Sequence, residues 1–190
     1  PDLPLDVSIS NIRIQDNFDG LDSGEINGPS DYASYLDADG NLVPNVRTYY
    51  EPGDGVNTVD TAIGTKEFQQ KIIVADITYT NHTDQVADSI CVCPSLFFLQ
   101  EDKDSYVEYD GLNETNTLYT DSCLYLQGDF FYYNMGSGNY TVEKNNINHL
   151  QPGESATVQL AFAVNADSLP YAMLYFYWDG GAGLVDISQQ

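Results

Sequence analysis

Residues 150–164 read Leu-Gln-Pro-Gly-Glu-Ser-Ala-Thr-Val-Gln-Leu-Ala-Phe-Ala-Val, a Pro-Gly turn opening onto strict alternation. Val158, Leu160, Phe162 and Val164 fall on one side; Thr157, Gln159, Ala161 and Ala163 fall on the other. A period of two over this length predicts a half-buried β-strand with its apolar side on a core. A second long strand is predicted over Phe68 to Thr80. There Ile73, Ala75, Ile77 and Tyr79 share one face, and Ile72, Val74, Asp76 and Thr78 the other. Two mostly apolar faces put that strand in the middle of a sheet.

Shorter runs predict strands over 7–14, 44–50, 90–100, 105–109, 117–125, 129–134 and 171–178, with 184–187 as a tail strand or coil. Turn-forming Gly, Pro, Asn and Asp separate them, as at Asp39-Gly40, Pro52-Gly53 and Asn81 to Asp84. In the 90–100 run Cys91, Cys93, Ser95, Phe97 and Leu99 share one face. The expected core is Val74, Ile77 or Ala75, Phe97, Leu99, Leu160 and Phe162. No amphipathic helix longer than about three turns emerges. Many strands and no such helix predict an all-β antiparallel sandwich or barrel of roughly seven to nine strands. One domain over 1–190 is expected: a first strand plus long loops over 1–66, then the core of the sandwich over 67–187.

Charge narrows the functions. The chain has 29 acidic and 6 basic residues, a formal net charge of -23. Such a chain has no cationic footprint for nucleic acid and is repelled by anionic lipid surfaces. No apolar run reaches the roughly 20 residues of a membrane-spanning helix. Few Lys and Arg, with 15 Tyr and abundant Asn, Asp, Ser and Thr, fit an exported β-protein.

The order of these signals resembles a known family. A long strand ends in Asn-x-Thr-Asp (Val74 to Asp84), and a Phe-x-Leu strand (Phe97, Leu99) runs into a charged turn and a Tyr (Asp102 to Tyr106). Then comes Leu-x-Pro-Gly-Glu-Ser (Leu150 to Ser155), followed at once by Val-x-Leu-x-Phe-x-Val, and a last apolar strand after Asp167 and Pro170. Over about 110 residues this is similar to the telokin-like, immunoglobulin-type domains of Gram-positive bacterial surface lipoproteins. The resemblance implies an immunoglobulin-like sandwich outside the cell, held to the membrane only through a lipid anchor upstream of residue 1. It carries over no catalytic motif and no cofactor. The stretches 16–66 and 109–140 depart from the family pattern as long insertions.

Candidate chemistry is sparse. His82 and His149 read as exposed, unpartnered loop residues, with no His-x-x-x-His or His-x-Glu spacing. No Gly-x-Ser-x-Gly elbow occurs, and Gly136-Ser137-Gly138 reads as a turn. Asp37-x-Asp39-Gly40 and Asp16-Asn17-x-Asp19-Gly20 suggest calcium loops but lack the Glu at the twelfth position, where Val46 and Ile26 stand. Ordinary Asp-Gly turns are the reading, with a cation on Asp37 and Asp39 as the weak alternative. In an exported protein Cys123 is expected to pair with Cys91 or Cys93; the alternative is three buried, reduced thiols.

The expected function is a non-catalytic binding or structural module whose partner is a protein or glycan at the cell surface. The two insertions are expected to form the binding face, with Tyr32, Tyr35, Tyr49, Tyr50, Tyr132 and Tyr133 as its contact residues. The alternatives are a carbohydrate-binding module using exposed Tyr and Trp and, more remotely, a hydrolase using paired carboxylates.

Overall fold

A computed structural model describes residues 5–22, 36–92, 94–102, 105–109, 118–121, 130–134, 136–143, 145–178 and 181–188. Among these the chain is all-β and antiparallel, with one short 3-10 helix at Ala166–Tyr171. The strands are β1 (Leu5–Gln15), β2 (Asn45–Glu51), β3 (Thr61–Phe68), β4 (Gln70–Asn81), β5 (Ile90–Cys91), β6 (Ser95–Asp102) and β7 (Ser105–Glu108). They continue as β8 (Leu118–Asp121), β9 (Phe130–Asn134), β10 (Thr141–Glu143), β11 (Asn146–Asn148), β12 (Ser155–Asn165), β13 (Ala172–Trp178) and β14 (Gly181–Asp186). The strands outnumber the expectation because β3, β10 and β11 are too short or too polar to carry a hydrophobic period, and because the strand expected over 90–100 is divided into β5 and β6.

Two four-stranded sheets have the orders β1-β4-β12-β9 and β14-β13-β6-β7. The alternating strand over 155–165 lies between β4 and β9, and β4 lies between β1 and β12. The main core takes Ile73, Ile77, Val158, Leu160, Phe162 and Val164 from the first sheet. From the second it takes Leu96, Phe98, Ala172, Leu174 and Phe176. Phe162 is fully buried, as its alternation requires.

The opposite face of β4 has its own small core. Ile72 and Val74, with Ala161 and Ala163 of β12, lie under Leu42, Phe18, Leu21 and Leu36. The backbone that carries this cover is stitched by Leu42 N–H donating to the Asp16 carbonyl at 3.1 Å and by bridges Asn17 to Asn41 and Leu36 to Leu42. An ion pair joins Lys71 to Asp16 beside it. The first part of the 16–66 segment is thus a lid on the sheet rather than a free loop, and it accounts for the two apolar faces of β4.

One expected core assignment is overturned. Leu96 and Phe98 face inward, while Phe97 is 40% exposed and Leu99 half-buried on the outside. Leu96-Phe97-Phe98-Leu99 is apolar at every position, so alternation gives no phase. The predicted strand over 90–100 is also divided, with β5 ending at Cys91 and β6 starting at Ser95, just after Pro94.

Two of the motifs that carried the family resemblance, Asn81 to Asp84 and Leu150 to Ser155, meet in space. Asn81 is fully buried at the end of β4, and its Nδ2 donates to the Leu150 carbonyl at 2.9 Å and the Gln85 carbonyl at 2.8 Å. Its Oδ1 accepts from Thr83 N–H and Thr83 Oγ1. Its own carbonyl accepts from Gly153 N–H at 2.7 Å. Gly153 takes φ +75°, which glycine adopts without strain. Glu154 then caps the Pro152-Gly153 turn, accepting from Gln151 N–H at 2.9 Å and Asn139 N–H at 3.2 Å. These residues shape a turn-to-turn junction.

Candidate functional site

The two insertions come together. β2, from the first, is the middle strand of a third sheet of order β3-β2-β8, and β8 belongs to the second. The β2–β8 register runs Arg47 to Asp121, Thr48 to Thr120, Tyr49 to Tyr119 and Tyr50 to Leu118. On the other side β2 pairs with β3 from Asn45–Phe68 to Glu51–Thr61, with a register shift between Tyr49 and Tyr50. Tyr49 stands opposite Gly64. The later half of the 16–66 segment is therefore a hairpin; the sequence showed β2 but not β3, because Thr-Ala-Ile-Gly-Thr-Lys-Glu-Phe has no apolar alternation.

β3 is exposed at seven of its eight positions, Phe68 alone being buried. Its outer edge is unpaired in the described sheet, which is the part of a sheet open to strand addition. At the root, buried Asn45 donates to Asn165 Oδ1 at 3.2 Å and Gln70 Nε2 to the Val43 carbonyl at 2.7 Å. Lys66 lies 4.3 Å over the Phe68 ring and 3.8 Å from Asp167. These bonds tie the hairpin to the ends of β4 and β12.

At the tip, Asp54 organises the turn. Its Oδ1 accepts from the N–H groups of Val56, Asn57 and Thr58 at 2.9, 2.7 and 2.8 Å. Thr58 N–H acts most strongly, and together these donors hold the carboxyl far below its ordinary range. Gly53 N–H donates to Asp60 Oδ1 at 2.9 Å. Val56 and Val59 are each 84% exposed on this ordered turn.

The expected contact residues divide. Tyr49 and Tyr50 lie half-buried on β2. The backbones of Tyr132 and Tyr133 lie in β9, opposite Ala161 and Leu160, so they belong to the main sheet rather than to the hairpin sheet. Tyr32 and Tyr35 lie outside the described residues.

Asp37 Oδ1 accepts from Asn41 N–H and Asp39 N–H, both at 2.9 Å, and these bonds, Asn41 first, lower its pKa. The carboxylate is engaged by its own turn. Among the described residues no group of three or more His, Cys, Asp or Glu side chains is placed to hold a metal ion. Cys91 is exposed and free, which removes it from the set of buried thiols; Cys93 and Cys123 lie outside the described residues.

The histidines do have partners. His82 Nε2 lies 3.0 Å from Asp6 Oδ2, and His149 Nδ1 lies 3.1 Å from Asp88 Oδ1. Both pairs join segments distant in sequence, which local spacing cannot reveal. His149 has φ +61° and its N–H donates to Asp88 at 2.6 Å, while Ser89, at φ +59°, donates its N–H to Asn148. The pairs read as surface latches.

Among the described residues no helix is long and apolar enough to cross a membrane. Compared with family models, curated proteins and solved structures, the chain matches none.

Proposed function

We propose that this chain is a non-catalytic extracellular module of a bacterial surface lipoprotein. In this reading a rigid immunoglobulin-like sandwich presents the β3-β2-β8 sheet as its binding face. The sandwich is supported by strand order. In the lettering of immunoglobulin domains, β1-β4-β12-β9 corresponds to A-B-E-D and β14-β13-β6-β7 to G-F-C-C′. The hairpin then falls between A and B, and β8 between C′ and D. The lipid anchor upstream of residue 1 rests on the family resemblance alone.

The observation that carries the binding face is the pairing of β2 with β8. Two segments far apart in the chain, both additions to the common pattern, build one sheet with an exposed strand and an exposed apolar tip. Recognition concentrates on such additions to a rigid scaffold. The partner is a protein or glycan at the cell surface.

The test is a binding screen against cell-wall fragments, glycans and matrix proteins. The wild type is compared with Tyr49→Ala/Tyr50→Ala and with Val56→Ser/Val59→Ser. A captured partner should bind at least about tenfold more weakly to the variants, as expected when hot-spot side chains are truncated. A partner held equally by all three proteins rules this face out.

A further inference from the structure

The two main sheets differ in what covers their outer faces. On the β1-β4-β12-β9 sheet part of that face lies under Phe18, Leu21, Leu36 and Leu42. Another part is a hydroxyl ladder, with Thr78 to Thr157 and Thr80 to Ser155 each at 2.8 Å. The outer face of the β14-β13-β6-β7 sheet is different. Its register sets Leu184, Tyr175 and Ser95 in one row and Asp186, Met173 and Phe97 in the next. Farther along β6, Leu99 and Glu101 continue this face, with Tyr106 of β7 opposite Glu101.

These positions point outward because their neighbours Leu96, Phe98, Ala172, Leu174 and Phe176 occupy the core. Leu184 is 49% and Tyr106 53% exposed, and Tyr175, Met173 and Leu99 are half-buried. Phe97 and Tyr175 meet edge to face at 5.6 Å. An apolar and aromatic surface running across four strands marks a contact site.

Charge decides what fits it. β6, β7, β13 and β14 contain no Lys or Arg, but they contain Glu101, Asp102, Glu108 and Asp186. Glu101 and Asp186 are exposed on the same face as Phe97. Two copies meeting here would set carboxylate against carboxylate, in a chain of net charge -23. Nucleic acid, anionic lipid and acidic glycans meet the same repulsion.

We infer that the outer face of the β14-β13-β6-β7 sheet docks a protein whose contact surface is apolar at its centre and rimmed by Lys or Arg. The central rings and aliphatic side chains supply the buried contact. Glu101 and Asp186 supply complementary charge that orients the partner. This surface is separate from the β3-β2-β8 sheet and stands or falls independently of it.

The probe is a short alternating Lys-Leu peptide titrated into the isotope-labelled protein at physiological salt. Its Gln-Leu analogue and cellohexaose are run alongside, and amide shifts are followed. Shifts should concentrate on β6, β13 and β14. Binding should weaken about tenfold or more in Phe97→Ser/Tyr175→Ser and in Glu101→Gln/Asp186→Asn, but stay within about twofold in Asp84→Asn/Glu143→Gln. The carboxylate variant keeps the test readable if the aromatic variant fails to fold. Shifts scattered over the acidic surface overturn the inference, as does equal weakening by the control variant. Equal or tighter binding of the Gln-Leu peptide or cellohexaose to this face also overturns it.

Discussion

Asn81 shows how a single polar side chain can specify where two distant turns meet. It is fully buried, yet both ends of its amide are used, in bonds to Thr83, Gln85 and Leu150. Asn81→Ala should destabilise the protein by about 1–3 kcal/mol: Thr83 N–H loses its acceptor, while the Leu150 and Gln85 carbonyls each lose one donor and keep another, Ala87 N–H and Thr83 Oγ1. Urea unfolding measures this, and an unchanged midpoint would remove the junction from the stability of the fold. Asp54 gives a pH-dependent counterpart. Its folded pKa lies below the ordinary value of 3.8, so its contribution to the tip is fully present above that value and is lost as pH falls through the folded one. Protection of the Val56, Asn57 and Thr58 amides, relative to their intrinsic exchange at each pH, should therefore stay constant down to pH about 4 and fall only under stronger acid, and Asp54→Asn should weaken it at neutral pH. The sequence marked only the Pro52-Gly53 turn beside Asp54. The bonds that depress its pKa come from the turn's closed shape, which residue identities alone do not show.

At the level of strands, legibility follows from burial pattern. β12 was readable in full because one face meets a deep core and the other mixes Thr, Gln and Ala. β4 was readable as central because both its faces carry apolar residues, although what covers the second, Phe18, Leu21, Leu36 and Leu42, was not. β6 was readable as a strand but not in phase. The correction there is directly measurable: Phe98→Ala should cost about 3–5 kcal/mol, as should Phe162→Ala, because each empties a buried aromatic site. Phe97→Ala should cost less than about 1 kcal/mol, because its ring is already partly in solvent. If Phe97 proves the costlier of the neighbours in chemical denaturation, the inward face of β6 has been misassigned. β3 was not readable at all. Its exposed residues are chosen by no core, so no period marks them, and its place is set by backbone pairing with β2.

For the whole molecule, the sequence announced two insertions but not that they are one structure. Pairing between β2 and β8 joins residues about seventy positions apart, and no local pattern encodes such a contact. Nor could spacing show that the first insertion serves two ends, its beginning closing a small core and its end forming a hairpin. The acidic composition, by contrast, was legible from the start, and it governs which partners either surface can accept. The joined insertions carry the proposed binding face. Cross-strand nuclear Overhauser contacts test them most directly. Backbone contacts between Thr48 and Thr120 and between Tyr49 and Tyr119 are the predicted result, alongside those from β2 to β3. Contacts from β2 to β3 alone, with β8 contacting neither strand, would contradict the shared sheet and with it the proposed binding face.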